Sequence, residues 1–516
     1  MLRALSLLLP LLSGPGDEAH YVDASLDLDG EVASWRFLDL DDDGAFELVV
    51  AVVLPGGERE LRVHALEGQG LGREARTTVR VLPDVVGWGA ADVRPEPGRE
   101  LIFLTRSGAW SYSTTLPGNR GNIERLAREE LVYDMPDARS LVFWDYVFDD
   151  GGSDRILLPG RERISIWGPT PDGATSETPY AAVVSLPTRP LESTTERLGA
   201  DGRSRGDGVR VSTMEESPFL PAGSSAGSTV LEDAYAYAAP ALRDLDGDGR
   251  LDLVTLGEGQ LALYLADEGG LPAEPTRIEV LPEVLTEADD GDLELRLADV
   301  DGDRFLDLVV RVSDAADGFE NRLHRLLVYR GDATSLLREK PDQVLRFEAG
   351  DLDFRVVDVD SDGRSDLLVE KLVLPSLVGV VTGIEFSFER MLFPGEKGSF
   401  ARRPAFRDEQ TFDEETAFEL AASRSWRHDC DGDGTADLVE VDLLGDITVR
   451  RLRRESSGLR GASWRLDATP WKRYAGQGSI GSLRVEDYNG DGLGDIVSAG
   501  EDRLTVLLSV RAGGGR

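Results

Sequence analysis

The stretch Asp244-Leu-Asp-Gly-Asp-Gly-Arg-Leu-Asp252 places carboxylates at positions 1, 3, 5 and 9, with Gly249 at position 6. Calcium is a hard cation that takes six to eight oxygens. A tight loop whose alternate side chains converge supplies them. Asp244, Asp246 and Asp248 would give carboxylates, and the carbonyl of residue 7 with Asp252 would complete most of the shell. Gly249 admits the positive φ of a sharp turn. Without a cation, four carboxylates in nine residues repel one another. Magnesium fits less well, because it keeps its waters. Zinc wants His or Cys, which these loops hardly offer.

The arrangement recurs with Asp299, Asp301, Asp303 and Asp307, with Asp358, Asp360, Asp362 and Asp366, and with Asp429, Asp431, Asp433 and Asp437. A further copy has Asp487, Asn489, Asp491 and Asp495, and an earlier one has Asp39, Asp41, Asp43 and Glu47. Asp and Gly also populate solvated turns, but six copies in one register point to metal, with five or six calcium sites. An EF-hand would need Glu at position 12 and flanking helices. Position 12 is Val50, Thr255, Val310, Val369 and Ser498, and Glu440 alone fits. The flanks, such as Leu308-Val-Val310 and Leu367-Leu-Val369, read as strands. Arg304 stands at position 6 of its loop, where positive φ is costly for a side chain, so that site is expected to be weaker. Asn489 keeps an oxygen but loses a charge.

Two further units are degenerate. Asp92 opens one, but Arg94 and Pro95 break the ligand pattern; Asp145 opens the other, with Asp149, Asp150 and Asp154 out of register. Loop starts then fall at 39, 92, 145, 244, 299, 358, 429 and 487, mostly 53–59 residues apart. Such a period marks a repeat architecture. Each repeat holds three or four short strand-like runs, the content of one propeller blade. Eight loop starts predict eight blades, or seven if the unit at Asp145 is not independent. The long interval holds a Ser-, Thr-, Gly- and Pro-rich surface insert at about 170–228. Its Arg205-Gly-Asp207 is read as chance composition. Trp35, Trp88, Trp144 and Trp426 precede loops and are expected to pack blade against blade. Only about twenty residues follow the last loop, so residues 21–28 are expected to pair with 504–510 and complete the last blade.

The chain has 516 residues and a net charge of −40. Six calcium ions would leave about −28, so sequence-independent binding to nucleic acid is excluded. Cys430 is the one cysteine; beside clustered carboxylates its thiol pKa should rise, which argues against a nucleophile. Residues 1–16 read as a signal peptide, with Arg3 as its basic end and an apolar core too short to span a bilayer. Residues 20–516 form one propeller domain. No other segment is apolar enough to span a membrane. His20, His64, His324 and His428 lie in no catalytic motif, and no enzyme signature is recognisable.

Leu242-Arg-Asp-Leu-Asp-Gly-Asp-Gly-Arg-Leu-Asp-Leu-Val254 and Val485-Glu-Asp-Tyr-Asn-Gly-Asp-Gly-Leu-Gly-Asp-Ile-Val497 resemble the FG-GAP, or VCBS-type, repeats of integrin α-subunit heads and many secreted bacterial proteins. Pro394-Gly-Glu-Lys-Gly-Ser-Phe400 resembles the Gly-x-Phe segment of such repeats. The resemblance implies an all-β β-propeller with calcium in loops on one face. It also implies a secreted, periplasmic or cell-surface monomer that binds an extracellular protein or glycan as an adhesion or structural module. The alternative is the scaffold of a secreted hydrolase or lyase acting on polysaccharide.

Overall fold

The computed structural model describes residues 19–511 apart from short gaps, the longest at 132–140, 191–209, 212–234, 375–385 and 413–422. The expected signal peptide and Arg205-Gly-Asp207 lie outside the described residues.

The chain is an all-β propeller of eight blades, each built on a small antiparallel sheet. The first strands of the sheets are Glu31–Leu38, Val85–Ala91, Val147–Phe148, Pro240–Arg243, Leu293–Ala298, Asp351–Val357, Ser423–Ser425 and Leu483–Glu486. Each pairs antiparallel with the strand that follows its loop. These second strands are near-continuous apolar runs. Glu47–Val53, Glu100–Thr105 and Asp495–Ala499 are buried along their whole length. A strand covered on both faces by neighbouring sheets needs no polar face, so it shows no alternation. The fourth strands do alternate: Gln343–Ala349 is buried at every second residue from Leu345 on, as a half-solvated outer strand should be.

Apolar clusters join every neighbouring pair of blades. Val49 and Leu61 of the first blade pack with Leu101 of the second, and Trp144 and Leu157 bridge the second, third and fourth. Leu263 meets Val310, Val328 meets Leu367, Leu392 meets Leu438, and Val439 meets Ile496. Leu48 and Val50 then pack with Val497 and Leu508, which closes the circle.

The closure is the one expected from the short C-terminal end. His20–Asp23 lies antiparallel on Arg503–Val510, with Tyr21 opposite Ser509 and Val22 opposite Leu508. Leu26–Asp27 continues the pairing at Leu504 and Arg503. The N-terminal strand thus covers an edge that would otherwise be open. The blade at Asp145 is independent, which settles eight against seven. Its outer strand, Tyr180–Pro187, pairs with Arg163–Pro169 and falls inside the span expected as an insert. Its apolar YAAVVSLP run explains why it is recruited to the sheet.

The four tryptophans pack between blades as expected, each at most 2% exposed. The Trp88 Nε1 donates to Ser34 Oγ at 2.8 Å and the Trp426 Nε1 to Glu370 Oε1 at 3.3 Å. Burying an indole requires such a partner. Among the described residues no helix is long and apolar enough to cross a membrane.

Candidate metal centre

Each full loop connects the first strand of a blade to the second. Its conformation is the same in all six copies. Position 4 has positive φ at Asp42, Gly247, Gly302, Ser361, Gly432 and Gly490, and position 6 at Gly44, Gly249, Arg304, Gly363, Gly434 and Gly492. The sequence pointed to position 6; the left-handed turn at position 4 was missed, because Asp42 and Ser361 hide it. Arg304 adopts φ 79 despite its side chain, so the loop geometry overrides a local cost of about 1–2 kcal/mol.

Backbone N–H groups organise the carboxylates. The position 1 aspartate accepts from the position 6 N–H: Asp39 from Gly44 at 3.0 Å, Asp244 from Gly249 at 2.9 Å, Asp429 from Gly434 at 2.7 Å. The position 9 carboxylate accepts from the position 2 N–H, as in Asp252 from Leu245 at 2.9 Å, Asp307 from Val300 at 2.8 Å and Glu47 from Leu40 at 3.0 Å. Its other oxygen accepts from the end of the third strand or just beyond it. Ala266 donates to Asp252, Gly331 to Asp307, Gly395 to Asp366 and Ser509 to Asp495, all within 2.8 Å. Position 9 therefore braces three segments of its blade. Gly331 and Gly395 serve here because a Cβ would sit 2.0 Å from Leu306 O and 2.5 Å from Ser365 O.

These braces are buried, which disfavours their charge. Burial pushes Asp252, Asp366 and Asp495 up to about 6, Asp307 up to about 7 and Asp437 up to about 8, while the accepted N–H bonds pull the other way. Neighbouring loop carboxylates add to the rise at Asp307 and Asp437.

Carboxylate oxygens converge to within 4.8 Å in five groups: Asp39, Asp41 and Asp43; Asp244, Asp246 and Asp248; Asp299, Asp301 and Asp303; Asp358, Asp360 and Asp366; and Asp429, Asp431 and Asp437. These clusters can hold a metal ion. The buried Oδ1 atoms of Asp39, Asp41 and Asp360 accept no hydrogen bond. A buried oxygen left so calls for a partner such as an ion. The donor set is all oxygen, which suits a hard cation.

The sites differ in their charged neighbours. Position 3 faces an arginine in four loops: Asp41 with Arg76 at 3.1 Å, Asp301 with Arg330 at 3.6 Å, Asp431 with Arg451 at 2.6 Å, and Asp360 with Arg454. Asp246 has no ion pair among the described residues, but Arg250 pairs with Asp248 of the same cluster. In the sixth loop the Asn489 amide donates to Asp495 Oδ1 at 3.1 Å and to Ser509 O at 2.7 Å, and Asp487 belongs to no oxygen cluster among the described residues.

The degenerate loop at Asp92 keeps the brace, with Val93 N–H donating to Glu100 at 3.2 Å. Arg94 is buried in its interior and donates to Ser111 Oγ at 2.9 Å and Asn122 O at 3.0 Å. A guanidinium thus stands where the other loops offer a carboxylate. Burial pushes the Cys430 thiol far up, helped by Asp437, in the direction its surroundings imply.

The family described as FG-GAP-like repeat matches residues 244–310, the fourth blade and the start of the fifth. The chain is therefore a β-propeller that carries an FG-GAP-like repeat. No curated protein matches it. A solved structure described as "Crystal structure of BBS1N in complex with ARL6DN, soaked with lead" aligns over 95% of this chain and 96% of that one, at 10% identity and a TM-score of 0.31.

Proposed function

We propose that the protein is a secreted, calcium-binding β-propeller that serves as a binding or adhesion module for an extracellular glycan or protein. The observation that supports this most is the set of five carboxylate clusters with orphaned buried oxygens at Asp39, Asp41 and Asp360. Calcium is the cation for an all-oxygen donor set. Asp39, Asp41, Asp43 and Glu47, and their counterparts in the loops from Asp244, Asp299, Asp358 and Asp429, would hold it; Asp487, Asn489, Asp491 and Asp495 would form a sixth, weaker site. Bound calcium would neutralise the clusters and pin the loops that join first to second strands. Residues 1–16 act as the signal peptide, since sites of this kind fill where calcium is plentiful. The repeated scaffold offers loops to a partner without any enzyme motif. The test is a glycan and protein-ligand array with the full chain, run in calcium and in chelator. Calcium-dependent capture of a defined ligand is expected; calcium titration without any binding isotherm overturns the metal assignment.

A further inference from the structure

The middle of the ring is charged in the opposite sense to the rest of the molecule. First strands of the fourth to eighth blades surround a cavity of about 430 Å³. Arg243, Arg296, Arg355, Arg424, Arg427 and Arg484 line it, against Asp353 and Glu486. The six guanidiniums thus outnumber the two carboxylates by four, in a chain of net charge −40. Repetition places three of them: Arg296, Arg355 and Arg484 each stand three residues before the first aspartate of their loop. Equivalent register on first strands means equivalent height along the channel.

Some of this charge is matched. Asp353 faces Arg296 at 3.2 Å and Arg355 at 3.7 Å, and Glu486 faces Arg484 at 4.0 Å. Outside the lining itself, Glu294 pairs with Arg296 at 2.7 Å and Glu370 with Arg424 at 3.4 Å. Arg243 is different. Its one described hydrogen bond goes to the carbonyl of its neighbour Leu242 at 3.0 Å, and no carboxylate among the described residues pairs with it. Burial, and then the charge of Arg427, hold its guanidinium below the ordinary value. Like charges gathered in a partly buried cavity cost stability unless an anion joins them.

We propose that this channel is a binding site for a small oxyanion with two or more acidic groups, such as carboxylates, sulfates or phosphates, with Arg243 as its principal contact. Guanidinium forks match such groups two bonds at a time. The volume lies in the range of small-ligand pockets. The surrounding acidic surface repels anions at large, so the positive channel concentrates field where it is wanted. The site goes beyond the calcium reading, because none of the loop carboxylates takes part.

The test uses 1,3-benzenedisulfonate, which does not sequester calcium, with benzenesulfonate as the singly charged control. Calorimetry on the full chain is run at about 20 mM salt, where screening is weak, in calcium and again in chelator. One disulfonate per chain is expected, bound about tenfold or more tighter than the monosulfonate, since each added charged hydrogen bond is worth that much. Arg243→Gln should weaken it about tenfold while leaving the melting temperature equal or higher, because a repelled charge is gone. Arg80→Gln, on an outer strand, should change nothing. Equal affinity for the two sulfonates, unchanged binding in Arg243→Gln, or an equal loss in Arg80→Gln overturns the proposal. Should Arg243→Gln fail to fold, Arg243→Lys keeps the charge without the fork, and wild-type affinity in that variant overturns it equally. A sulfated polysaccharide that binds without competition from disulfonate does so too. Binding of disulfonate that persists in chelator separates this site from the calcium loops.

Discussion

The Tyr21 hydroxyl donates to the carbonyl oxygen of Gly494 at 3.0 Å, joining residues 473 positions apart in the chain. Around it, Tyr21 lies against Tyr474 and Trp471 with ring centroids 5.9 and 6.3 Å away. The eighth blade therefore takes its outer strand from the other end of the sequence and locks it with a half-buried phenol. Deleting residues 19–30 should uncover the edge of Arg503–Val510 and with it Val506 and Leu508, both fully buried. A large fall in melting temperature and new aggregation are expected. Tyr21→Phe should cost about 1 kcal/mol, the net worth of one hydrogen bond. Thermal melts of both variants check this, and a truncation that melts like the full chain refutes the closure as a stabilising device.

Removal of calcium is the second prediction. Saturation of native-state sites adds stability as RT ln(1+[L]/Kd) for each site. Excess chelator should therefore lower the melting temperature, and returned calcium should restore it. The sites should also be unequal. Asp246→Ala should remove one calcium from the calorimetric stoichiometry, because it takes a carboxylate out of the cluster of Asp244, Asp246 and Asp248. Asp92→Ala should remove none, because Arg94 already fills its loop. Equal losses in the two variants would contradict the assignment.

The loop pattern was legible in the sequence because its chemistry is local: alternate carboxylates and a glycine fix a turn within nine residues. Blade number and closure were legible because spacing counts repeats and the tail was too short for a blade. The arginines of the channel were not. Arg296 and Arg355 are far apart in sequence and become neighbours only when first strands converge on one axis, and nothing in a single repeat marks them. The second role of position 9 was equally hidden, since the donors to Asp307 and Asp366 are backbone N–H groups of Gly331 and Gly395 at the far end of the blade. Tyr180–Pro187 was absorbed into the expected insert because its composition borders a low-complexity run, although its apolar residues pack with the third blade.

A third prediction concerns the joint between the sixth and seventh blades. Arg390 is 1% exposed and pairs with Asp408 at 3.2 Å, with Glu370 at 3.5 Å and with Glu440. Removing one member of a buried ion pair leaves the others uncompensated and costs about 3–5 kcal/mol. Arg390→Ala should fall in that range by chemical denaturation. The double variant Arg390→Met, Asp408→Asn should recover much of the loss, because it removes one charge of each sign and leaves Glu370 with Arg424 and Glu440 with Arg450. If the double variant is less stable than Arg390→Ala, the network stabilises by attraction rather than by mutual compensation.

The fourth prediction is a pH dependence set by His324. Its side chain is fully buried, with Nδ1 2.8 Å from Ser313 Oγ and Nε2 3.2 Å from the Ala349 carbonyl oxygen. A neutral ring satisfies both contacts, with Nε2–H donating to the carbonyl and Nδ1 accepting from the serine hydroxyl. Burial, aided by the charge of Arg322, pushes its pKa down to about 4, against an ordinary value of about 6.5 in an unfolded chain. Between those values the unfolded state binds more protons than the folded state, so stability rises with pH. The contribution is complete above the unfolded value and is lost as pH falls through the folded one. Its full size is about 3 kcal/mol, from roughly 1.4 kcal/mol for each pH unit of the shift. His324→Gln can accept from Ser313 and donate to Ala349 without titrating. Its melting temperature should therefore fall less steeply than that of the native chain from pH 6.5 to 4, while the carboxylates common to both contribute equally. Parallel profiles across that window would show that His324 does not titrate with unfolding.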